Sequence, residues 1–482
     1  MPVTRRQQIL AKIESSEGQN ANPTGSDAIL VYEPELSQEV DTVERVPAGS
    51  SMSRAFDPVG RKKRSVKFTS DFRGSADTTI PITLPEWGTL GQGAGLRPIQ
   101  PIQIPVTSVS GTLGYQLGEI VQKGSSAIRG VVIGLFSSGA IVHRLTGSGT
   151  VVVAPIAGTF TSTGTLTGES SGTTGTIGTV ASYAGLCFAP TSDKRMNVTT
   201  GSWSASAPAA GDTALVKASG IIVGICQIVV DNAAGAFTDI DVVLLQGTIS
   251  NGNTLTVGAK TATISAAPTQ SRTPSLTIAH NLDGRRRSIV GSRGDFELSG
   301  ESGQPLKFTW TFEGDSVAAV DALPATTSAL SSVIAPRLLG ALIAYGQRVD
   351  TTAGDTATDF VRLATKSLNL KASNTVSANL DANAAGGTVG SNVTDRKPVL
   401  NAVVNEVQSG FDWDAIVEYA TPVRFIAILG TTPGNIVGIV VPNAQAKAAP
   451  IGDSDGLVTR DVSLEPKRVL ESGDDEYFLV QL

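Results

Sequence analysis

Histidine is the side chain that most often carries acid–base chemistry near neutral pH, and this chain contains two. His143 and His280 each lie in a strand-like segment without a partner motif beside them. General acid–base and nucleophilic catalysis need a base within hydrogen-bond reach of the group it activates. We therefore interpret both histidines as packed or solvated side chains, and we predict that the chain is not an enzyme.

Metal, phosphate and dinucleotide sites have recognisable ligand spacings, and the sequence contains no His-Glu-x-x-His, paired-Cys, Walker or dinucleotide motif. Cys187 and Cys226 lie in apolar runs, which predicts two buried thiols. The acidic cluster that starts at Asp453 has part of the spacing of a calcium loop but lacks the glutamate that would supply the twelfth-position ligand. We predict a surface turn there, and no cofactor or metal ion elsewhere.

The composition predicts a mainly β protein. Aromatic residues make up 5% of the 482 residues and 52 residues are glycine, which is typical of sandwiches with many short strands and tight turns. The length allows about two to four domains. The formal net charge of −6 lacks the basic excess that general nucleic-acid binding needs. A mildly acidic surface repels DNA, and an ordinary acidic soluble protein is the simplest interpretation of the charge alone.

No segment has the pattern of a secretory signal or of a membrane span. The charged residues Arg5, Arg6, Lys12 and Glu14 interrupt any hydrophobic run near the amino terminus. No apolar run approaches the roughly 20 residues that a spanning helix needs. We therefore expect a protein with no membrane segment that is soluble and cytoplasmic when it is made.

The strongest structural pattern is an alternating hairpin between residues 294 and 314. Apolar and polar residues alternate on both sides of a turn at residues 299 to 305, which is the period of half-buried antiparallel strands. The predicted core residues of this hairpin are Phe296, Leu298, Leu306, Phe308, Trp310 and Phe312.

Shorter patterns predict the elements before this hairpin. Ile9, Leu10 and Ile13 share a helical stripe, which predicts a short amphipathic helix followed by a strand at residues 28 to 32. Residues 44 to 63 have no period, and a basic run covers residues 61 to 64, which predicts a long exposed loop.

Further elements are predicted around and after the hairpin. Asp283 and Gly284 predict a tight turn. Asp412 is placed to cap a short helix whose buried face contains Trp413, Ile416, Val417 and Ala420. Strands are predicted near residues 338 to 345, 361 to 370, 423 to 429, 436 to 441 and 477 to 482.

Residues 104 to 270 differ from the rest of the chain in their high content of Gly, Ser, Thr, Ala and Val. They contain an internal repeat in which the segment starting at Tyr115 aligns with the segment starting at Phe160, and each copy has the pattern of a hairpin. Apolar runs near residues 221 to 230, 241 to 245 and 255 to 257 predict further buried strands. We interpret this region as an insertion that folds as one β domain or as two small Ig-like or other β modules.

Three groups of motifs resemble the major tail tube proteins of long-tailed, siphovirus-type bacteriophages. The first is the hairpin itself, with Gly-Asp-Phe-Glu-Leu at residues 294 to 298 and Lys-Phe-Thr-Trp-Thr-Phe-Glu-Gly at residues 307 to 314. The second is the opening Thr-Arg-Arg-Gln-Gln-Ile-Leu-Ala at residues 4 to 11. The third combines Asn-Val-Thr-Asp-Arg-Lys-Pro at residues 392 to 398 with Phe-Asp-Trp-Asp-Ala-Ile-Val-Glu-Tyr at residues 411 to 419. The order of these motifs along the chain gives the resemblance its weight.

The resemblance implies a tail-tube-type β-sandwich with one or two short α-helices, split by the Gly- and Thr-rich insertion. Subunits of this family close into stacked, hexameric rings that form the hollow conduit for DNA ejection, so it implies a structural virion protein of the phage tail. The implied partners are further copies of the chain, a tape-measure protein in the lumen, tail terminator and distal tail proteins at the ends, and phage DNA that passes without specific contact.

Under this interpretation residues 1–103 and 271–482 are the two parts of the tube core. Residues 104–270 would face outward, since so large an insertion would block a channel. The loop that reaches the neighbouring ring in this family corresponds to the one predicted before residue 64, where cations could meet acidic groups; a solvated hairpin end is the simpler interpretation. The candidate inter-ring contacts are Arg54, Phe56, Arg61, Lys62, Lys63 and Arg64.

Two other functions remain open at this point. A tail terminator or distal tail protein uses a similar core but does not form repeated stacks. An adhesin or fibre protein built of β modules would account for the Thr- and Gly-rich insertion, although the sequence has no export signal to match it.

Overall fold

The computed structural model describes residues 7–15, 17–42, 56, 59–79, 83–157, 160, 162–191, 195–204, 212–231, 239–247, 249–266, 269–271, 273–322, 333–347, 361–384, 387–406, 411–454, 456–469 and 473–482. These residues are mainly β, as the composition predicts, and they include two α-helices.

Up to Ser271 the described ranges contain twenty-three strands and one α-helix. Before residue 100 these are β1 (Gln7–Ile13), β2 (Ala28–Ile29), β3 (Tyr32–Thr42), β4 (Val59–Asp71), α1 (Glu86–Gly93) and β5 (Leu96–Ile99). Then follow β6 (Ile102–Ser110), β7 (Tyr115–Gln116), β8 (Ile120–Lys123), β9 (Ser125–Ser137), β10 (Ala140–Ile141), β11 (Arg144–Leu145), β12 (Gly149–Ala157), β13 (Thr165–Gly168), β14 (Thr174–Ile177), β15 (Ala181–Ser182), β16 (Leu186–Pro190), β17 (Arg195–Thr199), β18 (Thr213–Ala218), β19 (Ile221–Asp231), β20 (Asp239–Gly247), β21 (Thr254–Val257), β22 (Lys260–Thr263) and β23 (Thr269–Ser271). A 3-10 turn at Gly25–Asp27 precedes β2.

The remaining elements begin at Leu276. They are β24 (Leu276–Leu282), β25 (Arg285–Glu301), β26 (Lys307–Ser316), β27 (Val320–Asp321), β28 (Leu342–Gln347), β29 (Thr365–Lys371), β30 (Asn374–Leu380), β31 (Thr388–Arg396), β32 (Val399–Asn405), α2 (Trp413–Glu418), β33 (Pro422–Leu429), β34 (Val437–Ala448), β35 (Ile451–Ser454), β36 (Leu457–Pro466) and β37 (Phe478–Gln481).

The amino-terminal segment is a strand, so the predicted amphipathic helix is wrong. β1 pairs antiparallel with β24 along its whole length, from Gln7 opposite Leu282 to Ile13 opposite Leu276. Ile9 and its sequence neighbour Leu10 are both fully buried. A strand covered on both faces loses the alternation that would distinguish it from a short helix, so tertiary pairing decided the structure.

One antiparallel path of eight strands runs through the main sheet. The order β3, β4, β26, β25, β29, β32, β36 and β35 follows from the pairings between neighbours. The first half of β25 instead pairs with β24, which continues through β1 to β2. The path ends in β3 on one side and β35 on the other, and both are edge strands in the described part of the chain.

A second path of the same sheet packs over the first. Its order is β28, β33, β34, β37, β16 and β5, and the pairing of β34 with β36 joins the two paths. Phe308 and Trp310 of the first path share one hydrophobic core with Phe425 and Ile439 of the second. The alternate residues of the second path, such as Ile426, face the opposite way into another core. Because both faces are covered, β33 reads as an almost unbroken apolar run.

Strands between residues 102 and 182 form a small barrel. The path β9, β12, β6, β14, β13 and β8 returns to β9, so these six strands close on themselves. The two copies of the predicted repeat adjoin here, because β8 of the first copy pairs with β13 of the second. The Tyr115 hydroxyl also donates to the Leu166 carbonyl at 2.7 Å. Closure leaves the barrel with no open edge along that path.

The region predicted as an insertion is thus two bodies separated by a strand of the main sheet. β16 lies between β5 and β37, and the strands from β17 to β23 then form a separate seven-stranded sheet with its own core. The barrel shares its core with Ile426, Val440 and Phe478 of the main sheet. The domain boundaries at residues 104 and 271 stay a prediction.

The sequence predicted one of the two helices, α2, and not the other. Asp412 caps α2 by accepting from the backbone N–H groups of Asp414 and Ala415, as predicted, and Trp413 and Ile416 are buried. Ala420 lies beyond the end of this helix and is exposed. α1 was not predicted, because three of its eight residues are glycine. It forms because Trp87 is buried and donates its indole N–H to the Arg73 carbonyl at 2.9 Å.

Candidate functional site: a projecting hairpin and two sheet edges

The predicted hairpin core supplies the rigid base of the candidate site. Phe296, Leu298, Leu306, Phe308, Trp310 and Phe312 are all buried, with at most 1% of the surface of each exposed. The rings of Phe308 and Trp310 lie 4.6 Å apart between centroids, and the Trp310 indole donates to the Ser70 hydroxyl at 2.8 Å. The turn ahead of β25 is the predicted Asp283-Gly284 pair, with φ of 37° and 92°.

The basic run at residues 61 to 64 lies in a strand, so the prediction of an irregular loop is wrong from Val59 onward. β4 starts at Val59 and pairs with β3, with Glu39 opposite Lys63 and Val40 opposite Lys62. This end of the two strands projects past β26, whose last partner on β4 is Lys63. Solvent covers both faces there, so the segment lacks the apolar alternation by which strands are recognised.

We call residues 37–42 with residues 59–64 the arm. Of the other predicted contact residues, Phe56 is fully exposed, and Arg54 lies outside the described residues.

The outer face of the arm is balanced in charge. Arg61 forms an ion pair with Asp41 at 3.1 Å, and Lys63 pairs with Glu313 of β26. These two of the predicted contact cations therefore already have acidic partners within the subunit. Partly exposed pairs of this kind contribute little to stability, about 0 to 1 kcal/mol each.

The opposite face of the arm continues the core side of the sheet, and it carries Lys62 and Arg64. Lys62 is exposed, whereas Arg64 is 7% exposed. The Arg64 guanidinium donates to the Val317 carbonyl at 2.7 Å and to the Gln38 side chain. Burial lowers the pKa of Arg64, and the nearby charge of Arg287 lowers it further. Lys62 is therefore the one cation of the run that is both exposed and without an ion pair in the described part of the chain.

The two ends of the eight-stranded path are open for backbone pairing. Within the described ranges β3 pairs only with β4, and β35 pairs only with β36. Apolar side chains are exposed at both ends: Val40 at 37% on β3, Ile451 at 68% on β35, and Leu457 and Val458 on the neighbouring β36. Unpaired backbone beside exposed apolar side chains is the usual template for β-strand association.

The candidate catalytic and metal-binding residues are not brought together. His280 is buried and its Nε2 lies 3.0 Å from the Gln7 side-chain oxygen, while Nδ1 of His143 lies 3.4 Å from Arg362. Cys187 and Cys226 are buried free thiols, as predicted, and burial raises the pKa of each. Asp453 accepts from the Gly456 backbone in the turn between β35 and β36.

The described ranges contain no cluster of three or more metal-ligating side chains. Within them, no helix is long and apolar enough to cross a membrane.

Sequence reasoning missed the polar contact between the barrel and the main sheet. Arg424 of β33 is buried and donates to the Gln116 side chain at 2.8 Å. Glu119 is also buried and accepts from the Gln116 backbone at 2.7 Å and from Ser171 at 3.3 Å. Burial raises the pKa of Glu119 to about 7, and the charge of Arg424 opposes this effect. No local sequence motif predicts this contact, because Arg424 and Gln116 are distant in sequence.

A scan against protein-family models and a search of curated proteins both found no match to this chain.

Proposed function

We propose that this chain is a structural subunit of a bacteriophage tail tube, which assembles into stacked rings around a channel for DNA. One structural observation carries the proposal: an antiparallel path of eight strands ends in two open edges that are different from each other, β3 and β35. Pairing β3 of one copy with β35 of the next is a head-to-tail contact, which closes into a ring when the rotation between copies closes.

The arm supports stacking as the second contact. It projects beyond β26, and it ends near the fully exposed Phe56. Beyond Lys63 the arm has no β26 partner beside it, and Gly60, Lys62 and residues 37–42 are exposed, so a partner surface is the simplest reason for its length. One of the motifs that resemble tail tube proteins lies beside the arm, since the hairpin at residues 294 to 314 pairs with β4.

The proposed partners follow from this assembly. Further copies would occupy the two edges and the arm, a tape-measure protein would fill the lumen, and terminator and distal tail proteins would close the ends. DNA would pass without specific contact, consistent with the formal net charge of −6. The protein would have no enzymatic role and would reside in the virion. A terminator or distal ring protein is the main alternative, and a β-modular adhesin is the other.

Negative-stain electron microscopy of the purified chain, and of the particle that carries it, tests the proposal. Stacked rings or tubes with a central hole are the expected result. Monomers, or single rings that never stack, would favour one of the alternatives.

A matched pair of variants tests the edge contact. Ile451→Lys places a charge on β35 and is expected to block ring closure. Ile221→Lys changes a residue that is 71% exposed, close to the 68% of Ile451, but lies in the separate sheet of residues 195 to 271. Normal assembly of both variants would exclude β35 from the contact.

A further inference from the structure

Three basic side chains from three strands lie together where the core of the main sheet ends. His280 of β24 is directly opposite Arg287 of β25, so both side chains lie on the same face of the sheet. This face is the core face, because Ile278 and Ile289, two residues along each strand and so on the same face, are fully buried. Arg64 of β4 continues the row of Val66 on that same face. We call His280, Arg287 and Arg64 the basic end cluster.

The cluster has no acid within it. In the part of the chain that the structure describes, no carboxylate forms an ion pair with Arg287, Arg64 or His280. His280 is 5% exposed and Arg64 is 7% exposed, so water screens their charges poorly. The like charge of Arg287 lowers the pKa of Arg64 and of His280, in each case after burial, which is the larger cause. The basic end cluster therefore has no counterion among the described residues, and an external anion could balance its charge.

A buried nitrogen of His280 also indicates that the cluster binds an anion. Nε2 of His280 lies 3.0 Å from the Gln7 oxygen, which accepts a hydrogen bond from the neutral tautomer that carries its proton on Nε2. Nδ1 is then a buried nitrogen with no hydrogen-bond partner among the residues that the structure describes. Proton uptake at Nδ1 would turn it into a donor beside Arg287. The charged and polar groups that act on this ring are Gln7 from β1 and Arg287 from β25, and Arg64 from β4 lies close enough to Arg287 to feel its charge.

We propose that the basic end cluster binds a carboxylate side chain of a partner protein, held by Arg287 and Arg64 and by a proton taken up on Nδ1 of His280. This inference goes beyond the proposed tube function and does not depend on it. Arginine holds a carboxylate through two parallel N–H donors, and a charged acceptor strengthens each bond.

A protein carboxylate fits better than a nucleic-acid phosphate. Nucleic-acid binding uses rows of exposed cations along a backbone, whereas two of the three groups here are more than nine-tenths buried. The next cation on the same face of β25, Arg285, lies opposite Asp321 of β27, which repels a polyanion. A single carboxylate side chain can enter beside Arg287, which is the half-buried residue of the cluster. It needs no row of exposed cations, and it does not extend to Asp321.

Binding is coupled to protonation with a definite sign. Burial and Arg287 lower the pKa of His280 in the free protein, which favours its neutral ring. A bound carboxylate favours the imidazolium, and the affinity therefore rises as the pH falls from about 7.5 to about 5.5.

Nitrogen NMR of the purified chain labelled at histidine tests the proposal, because the chain has two histidines to resolve. A hexaglutamate peptide serves as the carboxylate probe, and a ten-residue oligothymidylate serves as the phosphate probe. The expected result is that hexaglutamate shifts the His280 signals toward those of imidazolium and binds at least about tenfold more tightly at pH 5.5 than at pH 7.5. A His280 signal that hexaglutamate leaves unchanged would overturn the site. Equal or tighter binding of the oligothymidylate would overturn the choice of a protein carboxylate.

Two variants separate this site from a general charge effect. Arg287→Gln is expected to weaken hexaglutamate binding about tenfold or more. Arg286→Gln removes the same charge from the next residue of β25, which faces the other way and bonds Asn281, and it is expected to leave binding unchanged. Equal losses in the two variants would overturn the assignment. If Arg287→Gln proves unfolded by circular dichroism, His280→Gln replaces it, with loss of the pH dependence as the expected result.

Discussion

Nη2 of Arg424 in the main sheet donates a hydrogen bond of 2.8 Å to the Gln116 side chain in the barrel, although 308 residues separate them in sequence. Both residues are 1% exposed. The contact lies beside a shared hydrophobic core in which Ile426, Val440 and Phe478 of the main sheet pack against barrel residues. The barrel of residues 102 to 182 is therefore built into the main body, whereas the sheet of residues 195 to 271 has a core of its own.

This difference predicts opposite outcomes for two matched deletions. Each segment begins and ends at residues that pair with each other, Ile102 with Ser182 and Arg195 with Ser271, so the same short linker can close either gap. Removing residues 195 to 271 is expected to leave a soluble, folded chain. Removing residues 102 to 182 exposes apolar side chains worth about 2 kcal/mol each, and a few of these consume a typical stability of about 5 to 15 kcal/mol.

Soluble yield and thermal unfolding of the two deletion variants are the measurements. Aggregation of the second variant alone is the expected result. A soluble and cooperative chain without residues 102 to 182 would show that the shared core does not hold the main sheet together.

Glu119 predicts a pH dependence of stability. Its pKa is raised from 4.5 to about 7 in the folded chain, mainly by burial. Between these values the folded state holds a proton that the unfolded state has lost, so this group makes stability fall as the pH rises from about 4.5 to about 7. The full change is on the order of 3 kcal/mol.

Glu119→Gln removes this dependence. Relative to the wild type, the variant is expected to gain stability as the pH rises through that window and to keep a constant difference above it. Urea unfolding at several pH values measures the difference between the two proteins. A difference that does not change between about pH 4.5 and pH 7 contradicts a raised pKa at this position.

The sequence predicts an element of this fold where the local pattern of apolar and polar residues reflects which faces of that element are buried. Phe296, Phe308 and Trp310 alternate with polar residues because one face of their strands meets the core and the other meets water, so the hairpin was readable. The stripe of Ile9, Leu10 and Ile13 was misread as a helix, since a short strand buried on both sides has no alternation. The turn at Asp283 and the cap at Asp412 were readable because both are local in sequence.

The sequence did not predict the arm or the contact between the barrel and the main sheet, and the reason differs between the two. Lys62 and Lys63 lie in a strand that solvent surrounds, and such a strand looks like a loop. Arg424 and Gln116 meet only after distant parts of the chain have folded together, so no local spacing indicates them. β16 lies within residues 104 to 270, and its pairing with β5 and β37 in the main sheet brings together distant parts of the chain, so no local pattern indicates it.

A close backbone approach predicts a sensitive glycine at the register shift of β25 between Val290 and Arg293. Gly291 has a φ of 60°, and a Cβ atom there would lie 2.4 Å from the Cα of Gly390. Gly291→Ala must therefore move backbone, and we expect a loss of about 2 to 4 kcal/mol. Gly303→Ala is the control, because Gly303 has a φ of 86° with open space around it, and should cost about 1 to 2 kcal/mol. Chemical denaturation measures the free energy of unfolding of both variants. Equal losses would show that the close approach to Gly390 adds nothing to the cost of the positive φ.

Lys62 provides the sharpest test of the arm in the proposed assembly. It is exposed on the core-side face, whereas Arg61 and Lys63 are neutralised within the subunit. Lys62→Glu is therefore expected to shorten tubes at physiological salt while rings still close, and raising the salt should reduce the difference from the wild type. Lys67→Glu is the matched control, since Lys67 is an exposed lysine of the same strand opposite Glu35. Tube lengths measured by electron microscopy decide the question: wild-type lengths for Lys62→Glu would exclude this face of the arm from stacking, and equal shortening in both variants would reduce the effect to net charge.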